Sequence, residues 1–73
     1  MLIVTTTVTI HFNKVTNRLE IVDCNDNRIM LVNGAVLNEL EDRYMFYITY
    51  GNRIYMIGVF YKYTVKTIGV SIR

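Results

Sequence analysis

The residues able to carry out nucleophilic chemistry are few. The chain holds one histidine, His11, one cysteine, Cys24, and one serine, Ser71. A catalytic thiol or hydroxyl needs a base within hydrogen-bond reach, and nothing in the spacing of these residues places them together. Cys24 lies in a polar turn segment, and His11 continues an alternating strand pattern toward solvent. The sequence therefore predicts no catalytic residue, and a protein that is not an enzyme.

Metal binding has one partial motif. Residues 23–27 read D-C-N-D-N, which matches the opening of a calcium loop. Arg28 then stands where the sharp turn of such a loop requires glycine, and Gly34 stands where a bidentate glutamate is needed. We interpret 23–27 as a turn, and the acidic residues between 39 and 42 as a solvated patch. The sequence predicts no metal site and no cofactor, since one cysteine and one histidine cannot supply the usual zinc ligands.

Charge and aromatic residues are distributed unevenly. Residues 1–43 hold four basic and six acidic side chains, whereas residues 44–73 hold four basic side chains, no acidic one and all six tyrosines. Tyrosine and arginine are enriched at the centres of protein interfaces. The same combination binds single-stranded nucleic acid, because bases stack on rings while cations contact phosphates. The predicted binding residues are Tyr44, Tyr47, Tyr50, Arg53, Tyr55, Tyr61, Lys62 and Tyr63.

Length and composition limit the class of protein that must position these residues. The chain has 73 residues, of which 52% are apolar and 19% charged, with no proline and a net charge of +2. This hydrophobicity excludes a disordered chain, and one cysteine cannot form an internal disulfide. The N-terminus lacks a basic region and a long apolar run, and the longest mostly apolar stretch, Ile54–Tyr61, is far shorter than a spanning helix of about 20 residues. We predict a single small domain, 1–73, that is cytoplasmic and does not contact a membrane.

Residues that favour strands dominate, and turn residues punctuate them at short intervals. Apolar and polar residues alternate over 2–12, 18–23 and 66–73, and strands are also predicted over 28–32, 44–50 and 53–64. Gly51 at the first central position of a two-residue turn predicts a type II′ hairpin. The fold class is mainly β, a small antiparallel sheet or barrel of about six strands in meander order.

One segment has two competing interpretations. Asn33-Gly34 is a strong hairpin signal that would pair Arg28 with Glu39. The residues that follow are mostly good helix formers, with an apolar stripe and a favourable spacing between Glu39 and Arg43. We favour one short helix at about 35–42 over the hairpin.

The hairpin of 44–50 and 53–64 is apolar on both faces, whereas a sheet in a small domain usually exposes one face to water. The second face is most simply covered by another copy of the chain. The sequence therefore predicts a homodimer or larger assembly. The alternative is a closed barrel whose exterior tolerates tyrosines.

The functional expectation follows from these features. A composition rich in Ile, Asn, Tyr and Thr and lacking Pro and Trp is typical of AT-rich genomes such as those of phages and mobile elements, whose small proteins often inhibit host machines by binding them. We predict a non-enzymatic β interaction protein, an inhibitor of viral type that self-associates and binds a protein target by occlusion. The alternative is single-stranded nucleic-acid binding through the basic, Tyr-rich face.

Overall fold

The structure is a computed structural model that describes residues 2–4, 7–67 and 69–73. Eight strands and one 3-10 turn account for most of them. The strands are β1 (Leu2–Val4), β2 (Val8–Asn13), β3 (Arg18–Asp23), β4 (Arg28–Asn33), β5 (Val36–Glu39), β6 (Arg43–Tyr50), β7 (Arg53–Tyr61) and β8 (Gly69–Ile72), with the 3-10 turn at Lys62–Thr67.

The strands form two four-stranded sheets, in the orders β1-β7-β6-β5 and β4-β3-β2-β8. Each sheet is a three-stranded antiparallel meander, β5-β6-β7 or β2-β3-β4, with one parallel strand added at its edge. The prediction of a mainly β fold with meander order is confirmed. Between the described strands the arrangement is two sheets and not a closed barrel.

The chain passes from one sheet to the other near each end. The strand predicted over 2–12 is divided into β1 and β2, which belong to different sheets, and residues 5 and 6 lie outside the described part. The strand predicted over 53–64 ends at Tyr61, and the 3-10 turn leads to β8 in the other sheet. Ile68, placed by the sequence in the last strand, also lies outside the described residues. Eight strands form where about six were predicted, because the first predicted strand is divided into two and because Val36–Glu39 is a further strand.

The core lies between the two sheets and is built from their alternating inward residues. The ring of Phe46 lies 5.2 Å from that of Phe12 and 5.5 Å from that of Phe60, both edge to face. Edge-to-face pairs are favoured because the positive edge of one ring meets the negative face of the other. The buried residues of this core are Val8, Ile10, Phe12, Leu19, Ile21, Ala35, Phe46 and Phe60.

The helix favoured over 35–42 is wrong, because Val36–Glu39 is a strand paired antiparallel with β6. Ala35 is fully buried, and its N–H donates to the carbonyl of Asn17 at 2.9 Å. Helix propensity is a weak preference that pairing and burial readily outweigh. The competing hairpin does not form either, since β4 and β5 lie in different sheets and Arg28 pairs with Glu20 at 2.9 Å.

Two turns follow the local sequence signals. Gly51 has a φ of 62° between the paired residues Tyr50 and Arg53, as the type II′ prediction requires. In the 23–27 turn, Oδ1 of Asp23 accepts the N–H groups of Asn27 at 2.9 Å and Asn25 at 2.8 Å. These hydrogen bonds, chiefly that from Asn27, hold the pKa of Asp23 below its usual value.

Candidate interaction surface

The sheet of β5, β6 and β7 has one face in the core and one face in solvent. Phe46 and Phe60 point inward, so the residues that alternate with them point outward. β7 contains one extra residue opposite the peptide bond between Phe46 and Tyr47. The pairing register therefore shifts by one residue at this point, and Met56 pairs with Tyr47. We call the part of the solvent side that extends from the Met45–Val59 row to the hairpin turn the outer face. Its residues are Val36, Asn38, Met45, Tyr47, Thr49, Ile54, Met56 and Val59, of which Val59 is buried.

The outer face as defined carries no charged side chain. The charge on the same side of these strands is that of Arg43, which lies beyond the Met45–Val59 row and pairs with Asp42 at 2.7 Å. Val36, Tyr47 and Met56 form a row across the three strands, and the hydroxyl of Tyr47 donates to Sδ of Met45 at 3.6 Å. Val36 is 55% exposed and Ile54 is 74% exposed. An apolar surface of this kind, which no described element covers, is typical of an interaction site.

The hairpin tip, defined as residues 49–55, extends past the core. On the core side of the strands, Tyr50 is 77% exposed and Tyr55 is 44% exposed, so the opposite sheet does not cover them. Arg53 pairs with Tyr50 across the strands and is also exposed. The tip therefore presents apolar and aromatic side chains to solvent on both of its faces.

Two of the predicted binding residues stabilise the fold instead. Nζ of Lys62 lies 2.7 Å from Oε2 of Glu39 and 5.0 Å from the centroid of the Tyr44 ring. The hydrogen bond to Glu39 is the main cause that raises the pKa of Lys62 above its usual value. Tyr44 is partly buried and packs against the core. Tyr44 and Lys62 therefore link β5, β6 and the end of β7. The ammonium group of Lys62 and the ring of Tyr44 already have partners within the molecule.

Tyr61 and Tyr63 form a separate aromatic pair. Their ring centroids lie 5.5 Å apart, with the planes tilted by 30°. Tyr61 is opposite Arg43 at the far end of the hairpin from Tyr50. Seven residues along a strand correspond to about 23 Å. The eight residues predicted as one surface are thus divided: the structure brings Tyr50, Arg53 and Tyr55 together and leaves Tyr47 central on the outer face.

The predicted set omitted residues that the outer face contains. Ile54 and Met56 belong to the second apolar face that the sequence pattern indicated, although they were not among the predicted binding residues. The sequence does not predict Val36 as a residue of this surface, because the helix favoured over 35–42 would place it in a helix and not beside β6. Its exposure depends on β5 forming the edge of the sheet beside β6.

The molecule is thus a small two-sheet β protein with an uncharged outer face and an exposed hairpin tip. No protein-family model, curated protein or solved structure matches the chain. Within the part of the chain that the structure describes, no three potential ligands from His, Cys, Asp and Glu gather as a metal site. The described residues also include no helix of the length and hydropathy needed to cross a membrane.

Proposed function

We propose that this chain is a non-enzymatic interaction protein that self-associates through the outer face and binds a protein target with the hairpin tip. One observation supports the proposal: the uncharged outer face continues into the hairpin tip, and the tip is exposed on both sides. One surface can then be covered by a second copy while the other remains available. Binding of the tip within a cleft of the target would block that cleft by occlusion, as an inhibitor does.

The size of the outer face indicates a reversible dimer. β5, β6 and β7 have 4, 8 and 9 residues. With strands about 4.8 Å apart and about 3.3 Å per residue, their footprint is about 330 Å². A patch of this size lies in the range of functional surface patches but below the roughly 800 Å² per partner of a stable interface. We therefore expect a dimer that dissociates on dilution. Because the outer face is uncharged, its association should be insensitive to salt.

The tip has the composition of an interface centre. Tyr50 and Tyr55 supply large aromatic surfaces with few rotatable bonds, and Arg53 supplies a planar donor group between them. Arg53 makes no ion pair with any described residue. The chemistry that fits this tip is an apolar cleft with an acidic rim.

The first test is the solution mass, measured by light scattering over a range of concentrations at low and high salt. We expect a dimer at high concentration that persists at both salts. Ile54→Lys and Val36→Lys, which place a charge on the outer face, should each give a monomer. The matched control is Val15→Lys, which changes an apolar residue that is 89% exposed in another loop and should leave the dimer intact. A wild-type chain that is monomeric at every concentration would refute self-association.

The role of the tip is tested separately. Tyr50→Ala combined with Arg53→Glu should leave the mass unchanged and abolish binding to the protein target. If the double variant still binds the protein target, the tip is not the binding site.

Single-stranded nucleic acid is the second candidate, and one observation favours it. Arg53 stands beside two exposed rings, which is the arrangement that stacks bases and contacts a phosphate. Lys62 supports it less, since Glu39 already neutralises that cation. Binding of an oligonucleotide should then weaken steeply as salt rises, because phosphate contacts release counterions. Binding that is unchanged at high salt would exclude this candidate.

A further inference from the structure

The solvent face of the other sheet brings together polar residues from both ends of the chain. His11 lies between Glu20 on β3 and Ser71 on β8, in one row across three strands. In the next row Asn13 is paired with Arg18. Arg73 continues β8 beside β2, since its N–H donates to the carbonyl of Phe12 at 2.9 Å.

These rows surround one open depression of about 410 Å³. Its polar lining consists of His11, Asn13, Thr16, Arg18, Glu20, Ser71 and Arg73. Phe12 of the core is the remaining lining residue. The depression lies on the opposite side of the molecule from the outer face, because the two faces belong to different sheets and both point away from the core.

Hydrogen-bond donors dominate this lining. Arg18 and Arg73 make no ion pair with any described residue, so both guanidinium groups are available. Oδ1 of Asn13 accepts the N–H groups of Val15 at 2.9 Å and Thr16 at 3.2 Å, which leaves its amide NH₂ as a donor. The hydroxyl of Ser71 can donate as well.

The negative charge of the lining is already compensated. Glu20 is the one side-chain carboxylate of the lining, and its Oε2 accepts from Nε of Arg28 at 2.9 Å. The backbone carbonyl of Arg73 accepts the N–H of Lys14 at 2.6 Å and is engaged with the loop. With two guanidinium groups that pair with no described side-chain carboxylate, and several neutral donors, the depression has the electrostatic character of an anion site.

We propose that this depression binds a phosphate group. The backbones of Arg18 and Arg73 flank that of Asn13, so two strand spacings of about 4.8 Å separate them. Two guanidinium arms at that separation can converge on one oxyanion above Asn13. Arginine is suited to this task because its planar fork donates two parallel hydrogen bonds to phosphate oxygens. The volume exceeds that of a lone phosphate and leaves room for the group to which a phosphoester is attached.

The row of Glu20, His11 and Ser71 has the residue types of a carboxylate–histidine–serine relay. In the described structure no hydrogen bond joins His11 to either neighbour, and Glu20 is paired with Arg28 instead. We therefore assign His11 and Ser71 as donors to the bound phosphate and not as a nucleophile with its base.

The test is a titration followed by ¹H–¹⁵N NMR at constant ionic strength. Inorganic phosphate should shift the signals of His11, Arg18, Ser71 and Arg73 along saturable curves, whereas chloride should not. Adenosine monophosphate in a parallel titration distinguishes the two sources of the group: tighter binding than phosphate indicates a phosphoester, and equal binding indicates free phosphate. Shifts that are absent, or that never saturate, would overturn the proposal.

Variants that each lose one positive charge test whether the position of the two arginines matters for phosphate binding. Arg18→Gln and Arg73→Gln should each weaken phosphate binding about tenfold or more, because each removes a charge-assisted hydrogen-bonding group. Lys14→Gln is the control, since it removes the same charge from the neighbouring loop without lining this depression. Both arginines are exposed, so the variants should keep the wild-type spectrum elsewhere. If Lys14→Gln weakens binding as much as Arg18→Gln does, the effect is nonspecific charge and the site is refuted.

Discussion

At the scale of single residues, Phe46 joins the two sheets. It is fully buried on β6, and its ring meets Phe12 of the other sheet and Phe60 of its own sheet edge to face. Among the described residues, the Phe12–Phe46 pair is the one contact between aromatic rings that joins the two sheets. The free energy of unfolding therefore depends more strongly on Phe46 than on the half-exposed residues beside it on β6.

The substitution Phe46→Leu should lower the free energy of unfolding by about 1–3 kcal/mol, because it removes two ring contacts each worth about 0.5–1.5 kcal/mol. Urea denaturation followed by circular dichroism measures the difference. Tyr50→Leu is the control, since Tyr50 is exposed and its loss should change the free energy by no more than about 0.5 kcal/mol. Equal effects at the two positions would contradict the assignment of Phe46 to the core.

At the scale of elements, the sequence predicts those features whose cause is local. The II′ hairpin is predicted because Gly51 alone supplies the positive φ of the turn. The state of 36–39 is not predicted, because helix propensity is also local whereas pairing with β6 is not. Val36 and Glu39 become strand residues only when Tyr47 and Tyr44 lie beside them. A local pattern cannot contain that information.

The hairpin turn gives a test of this reasoning. Gly51→Ala should destabilise the protein by about 1–2 kcal/mol, because an L-residue at a φ of 62° is strained. A Cβ at Gly51 meets no atom within 4 Å, so the cost is conformational and not a clash. D-alanine at the same position, introduced by chemical synthesis, should restore stability, since its mirror-image preference matches the turn. Thermal unfolding compares the three proteins, and a D-alanine protein as unstable as the L-alanine variant would point to a different cause.

At the scale of the whole molecule, the two parallel strand pairs determine which residues share a surface. They join the chain's first segments to its last, β1 to β7 and β2 to β8. The sequence pattern places His11 toward solvent and does not bring it to Ser71, because nothing near either residue indicates the other. The apolar outer face, in contrast, follows from a pattern within one hairpin. The sequence therefore predicts part of the outer face and does not predict the depression that contains His11 and Ser71.

The two surfaces should act independently, because they lie on opposite sides of the two sheets. Residues more than about 7–10 Å apart without shared partners usually have additive effects, within about 0.5 kcal/mol. We expect saturating phosphate to leave the concentration dependence of the mass unchanged, and Ile54→Lys to leave the phosphate affinity unchanged within about twofold. Light scattering with and without phosphate, and the NMR titration repeated on Ile54→Lys, measure both directions. Coupling between two sites is reciprocal, so phosphate that promoted dimers would have to bind more weakly to the monomeric variant. That result would mean that the two sheets transmit a change between their outer surfaces, and the core around Phe46 would be the first place to look for it.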